Sequence, residues 1–321
     1  MLLYSDRIQK IVNVDMPNPV VWHIYPSNIC MLDCSFCIMK EEKKRFPSIM
    51  LSKETFQKVP KDAFKHNIKL VHFSGGGEPL TNPYTREIAK KMGTYNIKTA
   101  LSTNGILLQP TDAQIFDNIR ISIDAGHSLT YTKIKNKPYF DVVIQNVSEL
   151  IKAKQKYNYK ADIGLGFVIT LDNFDEIIKF RDLGIELQAD FIHFRPCYYN
   201  NKKQKNELKK IIENYKFEEK NSPTQQYFIT YKIKEKHFSN CLATPLQAVL
   251  SATGEFIVCQ DVFIRWGNYN TQSFNEIWFG KEHFKAIKKI NISICPRCVE
   301  GFHNEVIENM FLKNNCRNEL I

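Results

Sequence analysis

Between Val20 and about Asn200, six short runs of β-branched and aromatic residues alternate with amphipathic stretches, and no other feature limits the fold so strongly. The runs are Val20 to Tyr25, Lys69 to Ser74, Lys98 to Ser102, Ile119 to Asp124, Ile163 to Thr170 and Phe191 to Arg195. Strands separated by helical stretches of this length pair in parallel through crossover helices, which places the chain in the α/β class.

The helical stretches differ in their signals. Pro138 stands at a favoured first position, and Phe140, Val143, Ile144, Val147, Leu150 and Ile151 follow at helical spacing. Asp172 is expected to cap another helix, which turns Phe174, Ile177 and Ile178 inward and stops at Gly184. From Ser52 to His66 the spacing is again helical, but Pro60 interrupts it, which predicts two short helices or a kink.

After Cys197 the alternation ends, and a Lys/Asn-rich segment leads into a region of different character. The organisation reads as an N-terminal extension (1–19), a core (20–200), a linker (201–236) and a C-terminal region (237–321). The C-terminal region should form a hairpin across Leu246 to Val258, turning at Thr253-Gly254. It is too small to rest on a hydrophobic core alone, so a bound metal is expected to staple it.

No run approaches the roughly 20 apolar residues that cross a bilayer, and residues 1–19 carry charges rather than an apolar signal core. The chain therefore reads as soluble and cytoplasmic, with no membrane partner. A net charge of +10 would suit an acidic partner, but Lys, Asn and Ile are abundant throughout. The one dense basic stretch, Lys202 to Lys210, reads as the solvated face of a helix. No segment is suited to reading base edges, so a nucleic-acid partner is not indicated.

Nine cysteines in such a chain point to metal binding or catalysis rather than disulfides, because cytosolic thiols stay reduced. Three of them, Cys30, Cys34 and Cys37, follow directly on the first strand. Soft sulfur ligands select iron–sulfur, zinc or copper(I). A 4Fe-4S cluster takes four ligands, so three thiolates leave one iron open to exchange; a zinc site completed by His23 is the competing reading. The second strand ends in Ser74-Gly75-Gly76-Gly77-Glu78-Pro79, where glycines let backbone approach a ligand closely. Polar residues also end the later strands: Ser102 and Asn104, Ser122 and Asp124, and Arg195. Barrel folds place their sites at these strand ends.

The C-x3-C-x2-C spacing, with Phe36 just before the last cysteine, resembles the radical S-adenosylmethionine superfamily over roughly Val20 to Arg195. The resemblance implies a partial (β/α)6 TIM-like barrel with Cys30, Cys34 and Cys37 on the 4Fe-4S cluster. It implies S-adenosylmethionine as cofactor, bound by Phe36, Gly76, Gly77, Glu78, Ser102, Asn104, Ser122, Asp124 and Arg195. In that family the cofactor yields a 5′-deoxyadenosyl radical that takes a hydrogen atom from substrate.

Cys241, Gly254 and Cys259 give C-x12-G-x4-C across the expected hairpin, and Cys295-Pro-Arg-Cys298 adds a close pair. Taken alone this also describes a structural zinc ribbon. Attached to a radical domain it resembles the SPASM extension, or its shortened twitch form. Asn304 stands where the fuller SPASM pattern continues with cysteine, and the following cysteine is also missing. The likeness therefore implies one auxiliary 4Fe-4S cluster on Cys241, Cys259, Cys295 and Cys298, with Cys316 as a potential replacement. A cluster with four protein ligands is closed, which favours electron transfer. This layout resembles that of the aminocyclitol dehydrogenases, where the auxiliary cluster takes a second electron.

Cys197 alternates with His193 and Arg195 on the sixth strand and is a candidate hydrogen-atom donor, which would make the enzyme an epimerase; Pro196 is expected to break the strand before it. The leading functional reading is oxidation of a small polyhydroxylated substrate, with an external reductant such as flavodoxin or ferredoxin. The alternative is a peptide maturase performing oxidation, cross-linking or epimerisation. Such maturases often carry a leader-binding domain of some eighty residues, whereas about 20 residues precede the first strand here.

Overall fold

The structure, a computed structural model, describes residues 4–199, 201–214, 226–229, 238–293, 295, 298 and 300–313. Its centre is one ten-stranded sheet. Strands β1 (Val21–Ile24), β2 (Leu70–Phe73), β3 (Lys98–Thr103), β4 (Asn118–Ser122), β5 (Asp162–Ile169) and β6 (Phe191–Pro196) lie in chain order, each parallel to the next. These are the six expected strands of the partial barrel.

Helix α1 (Ser5–Val12) precedes the sheet. Helices α2 (Lys40–Arg45), α3 (Lys53–Lys65), α4 (Thr85–Thr94), α5 (Asp112–Ile115), α6 (Ser128–Lys135), α7 (Phe140–Tyr157) and α8 (Ile177–Glu186) fall between its strands. Then come α9 (Lys202–Asn214) and strand β7 (Gln226–Ile229), which pairs in parallel with β6. The segment read as a linker thus supplies both a helix and a seventh parallel strand. In α9, Leu208 and Ile212 are buried, while Lys202 to Lys205, Lys209 and Lys210 face solvent.

Side chains alternate across each strand. Trp22 and Ile24, Val71 and Phe73, Ile119 and Ile121, and Ile192 and Phe194 are buried in the hydrophobic layer beneath the helices. Their neighbours His23, His72, Ser102, Arg120 and His193 are half-buried on the opposite face, which is the barrel lumen.

Strand β8 (Gln247–Leu250) lies parallel to β1, on the side away from β2; β9 (Glu255–Cys259) and β10 (Val262–Asn268) continue the sheet antiparallel. The expected hairpin is therefore present, turning at Gly254 with φ +83°, where a Cβ would meet the Asn270 side chain. Helices α10 (Phe274–Trp278), α11 (Lys281–Lys288) and α12 (Gly301–Ile307) follow, the last leading into a π-helical turn, Glu308–Lys313.

The C-terminal region does not depend on a core of its own. Trp22 of β1 packs against Phe256, Tyr269 and Phe274 with ring centroids 5.9, 5.7 and 5.0 Å apart, so barrel and hairpin share one core. Burying a large apolar side chain contributes about 1.5–3 kcal/mol, so each aromatic that the hairpin places on Trp22 ties the two parts together.

Four local expectations are corrected. Helix α3 is continuous through Pro60, which is buried with Phe56, Val59 and Ala63; the apolar face packed on the sheet outweighs the missing hydrogen bond. Ser52, not a break, defines its start by accepting Thr55 N at 3.2 Å. Asp172 does not cap α8: it pairs with Lys133, and Asn173 Oδ1 accepts Thr170 N at 2.7 Å. Ile178 is 46% exposed rather than inward, and Gly184 lies inside α8, where a Cβ would stand 2.4 Å from Ile192 Cδ1. Close helix–sheet packing fixes that glycine, and the helix ends only at Glu186, before Gln188 with φ +59°.

Candidate active site: two thiol groups at opposite ends of a polar lumen

The loop after β1 carries the first three thiols. Its backbone hangs on the end of α6: Asp33 N and Ser35 N donate to Lys135 O and Ile134 O at 3.2 and 2.9 Å, and Asn136 Nδ2 donates to Asp33 O at 2.6 Å. Cys37 N donates to Cys34 O at 3.1 Å, closing a turn between those two ligands. Burial raises the Cys30 and Cys34 thiols above their usual pKa, and Cys34 lies in electrostatic range of Cys30 and Cys37. His23 does not join them. It lies in the lumen against His72, with centroids 5.2 Å apart, and within 3.2 Å of Gln260 Nε2, so the zinc reading loses its fourth ligand.

The glycine loop after β2 packs on the chain leading into Cys30. Gly77 N donates to Ser27 O at 2.6 Å and Glu78 N to Ile29 O at 2.7 Å. A Cβ on Gly77 would stand 2.1 Å from Ile29 O, and Gly75 and Gly76 have φ +46° and +66°. Glu78 is buried and points to the next strand end, accepting from Thr103 Oγ1 and Asn104 N at 2.7 Å each and from Leu80 N at 3.2 Å. Burial raises its pKa to about 6 against the lowering effect of these donors. Asn104 Nδ2 in turn reaches Cys30 Sγ at 3.8 Å.

At the end of β4, Asp124 adopts φ +63° and is 1% exposed. Its Oδ1 accepts Val168 N at 2.6 Å, and its Oδ2 pairs with Lys135, itself 2% exposed. Lys135 Nζ also donates to Ser122 O at 3.1 Å and lies 5.4 Å from the Phe36 ring centroid. Burial works against the Lys135 charge, but Asp124 and Cys34 hold it above its ordinary pKa. Sequence reasoning missed Lys135; a lysine on a short helix carries no signal until the fold buries it. The nearby Tyr131 hydroxyl is buried with no hydrogen-bond partner among the described residues.

The second thiol group lies at the other end of the barrel. Strand β8 runs parallel to β1 with Gln247 opposite Val21, so Cys241, just before β8, sits at the N-terminal end of the barrel strands. Strand β9 returns antiparallel and ends there at Cys259. Cys241 lies in electrostatic range of Cys295, Cys259 and Cys298, and Cys298 in range of Cys295. Burial raises Cys259 to about 12 and Cys298 to about 11. Asp261 N, Thr244 Oγ1 and Asn304 Nδ2 approach Cys259, Cys241 and Cys298 at 3.4, 2.7 and 3.6 Å. Cys316 lies outside the described residues.

Among the described residues no three Cys, His, Asp or Glu side chains close on one point as the ligands of a single ion do. In a four-iron core each thiolate takes a different iron, so its ligands need not close on one point. The soft donor set, the glycine cradle at Ile29 and the unpartnered Tyr131 hydroxyl fit a cluster and cofactor at Cys30, Cys34 and Cys37.

In the lumen between the two groups, Ser102 Oγ stands 2.9 Å from His72 Nε2 and accepts Arg120 Nη2 at 3.0 Å, and Arg120 Nη1 stands 3.3 Å from His193 Nδ1. Arg120 was legible only as a charged residue between Ile119 and Ile121. At the mouth, Pro196 does not break β6: Cys197 N still donates to Ile169 O at 2.7 Å. The proline nitrogen faces the β7 side, where the described pairing stops at Ile229 opposite Phe194, so no ladder bond is lost. Cys197 is half-buried beside Tyr199, whose hydroxyl accepts Leu171 N at 3.0 Å.

This barrel and its thiols define a radical S-adenosylmethionine enzyme: a model of that superfamily matches residues 24–181. A second model, for the iron–sulfur cluster-binding SPASM domain, matches residues 241–299, so the chain belongs to the radical S-adenosylmethionine superfamily and carries a SPASM domain. S-adenosylmethionine, a 4Fe-4S cluster and further iron–sulfur at the SPASM domain come with that membership. A probable GTP 3′,8-cyclase of Saccharolobus solfataricus is 30% identical over 174 residues, 52% of this chain and 53% of that protein. The chain thus aligns with about half the length of those curated relatives. An AdoMet-dependent heme synthase of Methanosarcina barkeri is 23% identical over 322 residues, 87% of this chain and 86% of that protein. Among solved structures, Streptococcus suis SuiB superposes with a TM-score of 0.66 at 15% identity, covering 90% of this chain and 72% of that one. Native anSMEcpe with bound AdoMet gives 0.60 at 18%, covering 84% and 83%. These two share the fold. Among the described residues no helix is long and apolar enough to cross a membrane.

Proposed function

We propose that the chain is a radical oxidoreductase that dehydrogenates a small polyhydroxylated molecule held in the lumen. The observation that carries this reading is the placement of two thiol groups at opposite ends of β1, with polar side chains lining the lumen between them. When bound, the groups at these ends would supply a hydrogen-abstracting 5′-deoxyadenosyl radical on one side and a sink for the remaining electron on the other. Cys30, Cys34 and Cys37 would hold the first group, and Gly76, Gly77 and the Glu78 segment would present backbone to the cofactor. Both oxygens of Asp124 are already engaged, so it would act by fixing Lys135 and the Ser122 carbonyl; Ser122, Asn104 and Arg195 are left to meet the cofactor itself. Cys241, Cys259, Cys295 and Cys298 would hold the second group, which would take the substrate radical's electron, while an external reductant such as flavodoxin or ferredoxin would supply the electron that the first group needs.

The reconstituted, reduced, anaerobic protein is expected to form 5′-deoxyadenosine, and Cys34→Ala to abolish it; cleavage persisting in that variant sinks the reading. Tested on a panel of polyhydroxylated small molecules, Cys259→Ala should still cleave cofactor but form little ketone. A second reading, peptide epimerisation with Cys197 as hydrogen donor, is supported by the strand pairing that holds Cys197 at the mouth and by the likeness to SuiB, solved with its precursor peptide SuiA. It predicts solvent deuterium at a substrate carbon, lost in Cys197→Ala.

A further inference from the structure

Four strands contribute to a single hydrogen-bonded row across the lumen: His72 from β2, Ser102 from β3, Arg120 from β4 and His193 from β6. Arg120 is the anomaly in it. Its guanidinium meets a hydroxyl and an imidazole, and among the described residues no carboxylate pairs with it. The acidic group that acts on it from a distance, Asp124, is already taken by Lys135 and Val168 N. The Arg195 charge acts on it unfavourably. A half-buried guanidinium with no carboxylate partner is left with donors that an anion can complete.

The surroundings also fix the stem of Arg120. Gly164 of β5, paired with Arg120, leaves its space to the Phe191 ring, and the Arg120 stem passes Gly166 at ordinary contact distance, so the absence of side chains on β5 lets the stem and that ring lie flat against the strand. Burial and then the Arg195 charge lower Arg120 to about 10, so it stays protonated at neutral pH. Burial takes His72 well below its usual value, and His23 to about 4, so both are neutral there. The row therefore offers a fixed positive charge with a planar fork of donors beside the neutral His72 and the Ser102 hydroxyl. A planar carboxylate matches that fork in shape, and phosphate is the competing anion that the test must separate from it.

We propose that Arg120, with Ser102 and His193 orienting it, is a carboxylate-binding subsite, and that the substrate of this enzyme carries a carboxylate seated there. This rests on the reading of the lumen as the substrate chamber, and it narrows that reading to polyhydroxylated acids.

The test uses the anaerobic reconstituted holoenzyme with S-adenosylmethionine bound, and the probes are sodium acetate, inorganic phosphate and myo-inositol at constant ionic strength. Acetate is expected to raise the thermal midpoint saturably. Arg120→Gln should weaken acetate at least tenfold while the shift caused by S-adenosylmethionine remains. If the Gln variant does not fold, Arg120→Lys keeps the charge without the fork and should weaken acetate several-fold. The proposal is overturned by a wild-type protein that ignores acetate, by a stronger response to phosphate or inositol, or by undiminished acetate affinity in the variants. It is also overturned if acetate and S-adenosylmethionine shifts vanish together, because the guanidinium then serves the cofactor's own carboxylate. A holoenzyme that makes 5′-deoxyadenosine yet ignores acetate refutes the subsite alone; one that makes none refutes the larger reading.

Discussion

Asn304 Nδ2 donates to Cys298 Sγ at 3.6 Å, while its Oδ1 accepts the amides of Leu242 and Ala243 at 2.6 and 2.8 Å. One fully buried amide on α12 thus ties the Cys298 knuckle to the loop that carries Cys241. Glu308 does the same one turn later, accepting Ser239 N and Asn240 N at 2.7 and 3.2 Å. Where the fuller cysteine pattern has another thiol, this chain has a clip. Asn304→Ala strands the buried Ala243 N, leaves Leu242 N only Asn240 O at 3.1 Å, and should cost about 1–3 kcal/mol in urea unfolding, with iron lost from the distal site first. Asn304→Asp keeps the acceptor and should spare most of that stability. Its added negative charge should lower the distal cluster's potential by on the order of tens of millivolts, read by redox titration. An unchanged potential would remove the clip from the electronic account.

Lys135 and Asp124 form a buried pair, so breaking one side leaves the other uncompensated. Lys135→Met should destabilise by about 3–5 kcal/mol. Asn at position 124 keeps an acceptor for Val168 N and tolerates φ +63°. The double variant Lys135→Met, Asp124→Asn should therefore recover more than about 2 kcal/mol relative to the sum of the single changes. Additive effects in denaturant titrations would mean that the pair is not what these side chains contribute.

Two glycines separate close approach from mere composition. A methyl on Gly77 would press on Ile29 O, one residue before Cys30, so Gly77→Ala should cost cluster retention and S-adenosylmethionine cleavage together. Gly93 lies exposed in α4 with nothing within 4 Å, and Gly93→Ala should stabilise the protein by about 0.5–1 kcal/mol with cleavage unchanged. Iron content, midpoint and 5′-deoxyadenosine formation read both variants. Full activity in Gly77→Ala would show that the loop can move away from Ile29.

The parts that could be read from sequence were those written locally. Strand runs, the cysteine spacings and the Thr253-Gly254 turn each sit within a few residues, and each fell where the pattern put it. What could not be read depends on partners far along the chain. The attachment of β8 to β1 joins positions 21 and 247, and nothing near Trp22 announces Phe256 as its neighbour. Pro60 misled because its local cost is visible in sequence while the apolar face that offsets it is completed only by the sheet. Lys135 and Arg120 were missed for a related reason: a charge reads as surface until the tertiary fold encloses it.

Burial also sets how stability varies with pH. His283 is enclosed between Trp266, stacked at 4.2 Å, and Trp278, whose carbonyl accepts from its Nδ1 at 2.7 Å. Burial lowers its pKa to about 4, as it does for His23, and takes His72 well below 6.5. For a group depressed on folding, the unfolded chain binds the extra proton between the two values, so stability is complete above about pH 6.5 and falls as pH drops toward 4. For His283 alone the full loss is on the order of 3 kcal/mol. Glu78, raised to about 6, works the other way between about pH 4.5 and 6, but it is one group against four, since burial also lowers His66. Stability should therefore rise with pH across this window in urea titrations. His283→Asn, which keeps a donor toward Trp278 O, should remove about one proton from the slope; a slope equal to wild type would mean that His283 is protonated alike in both states.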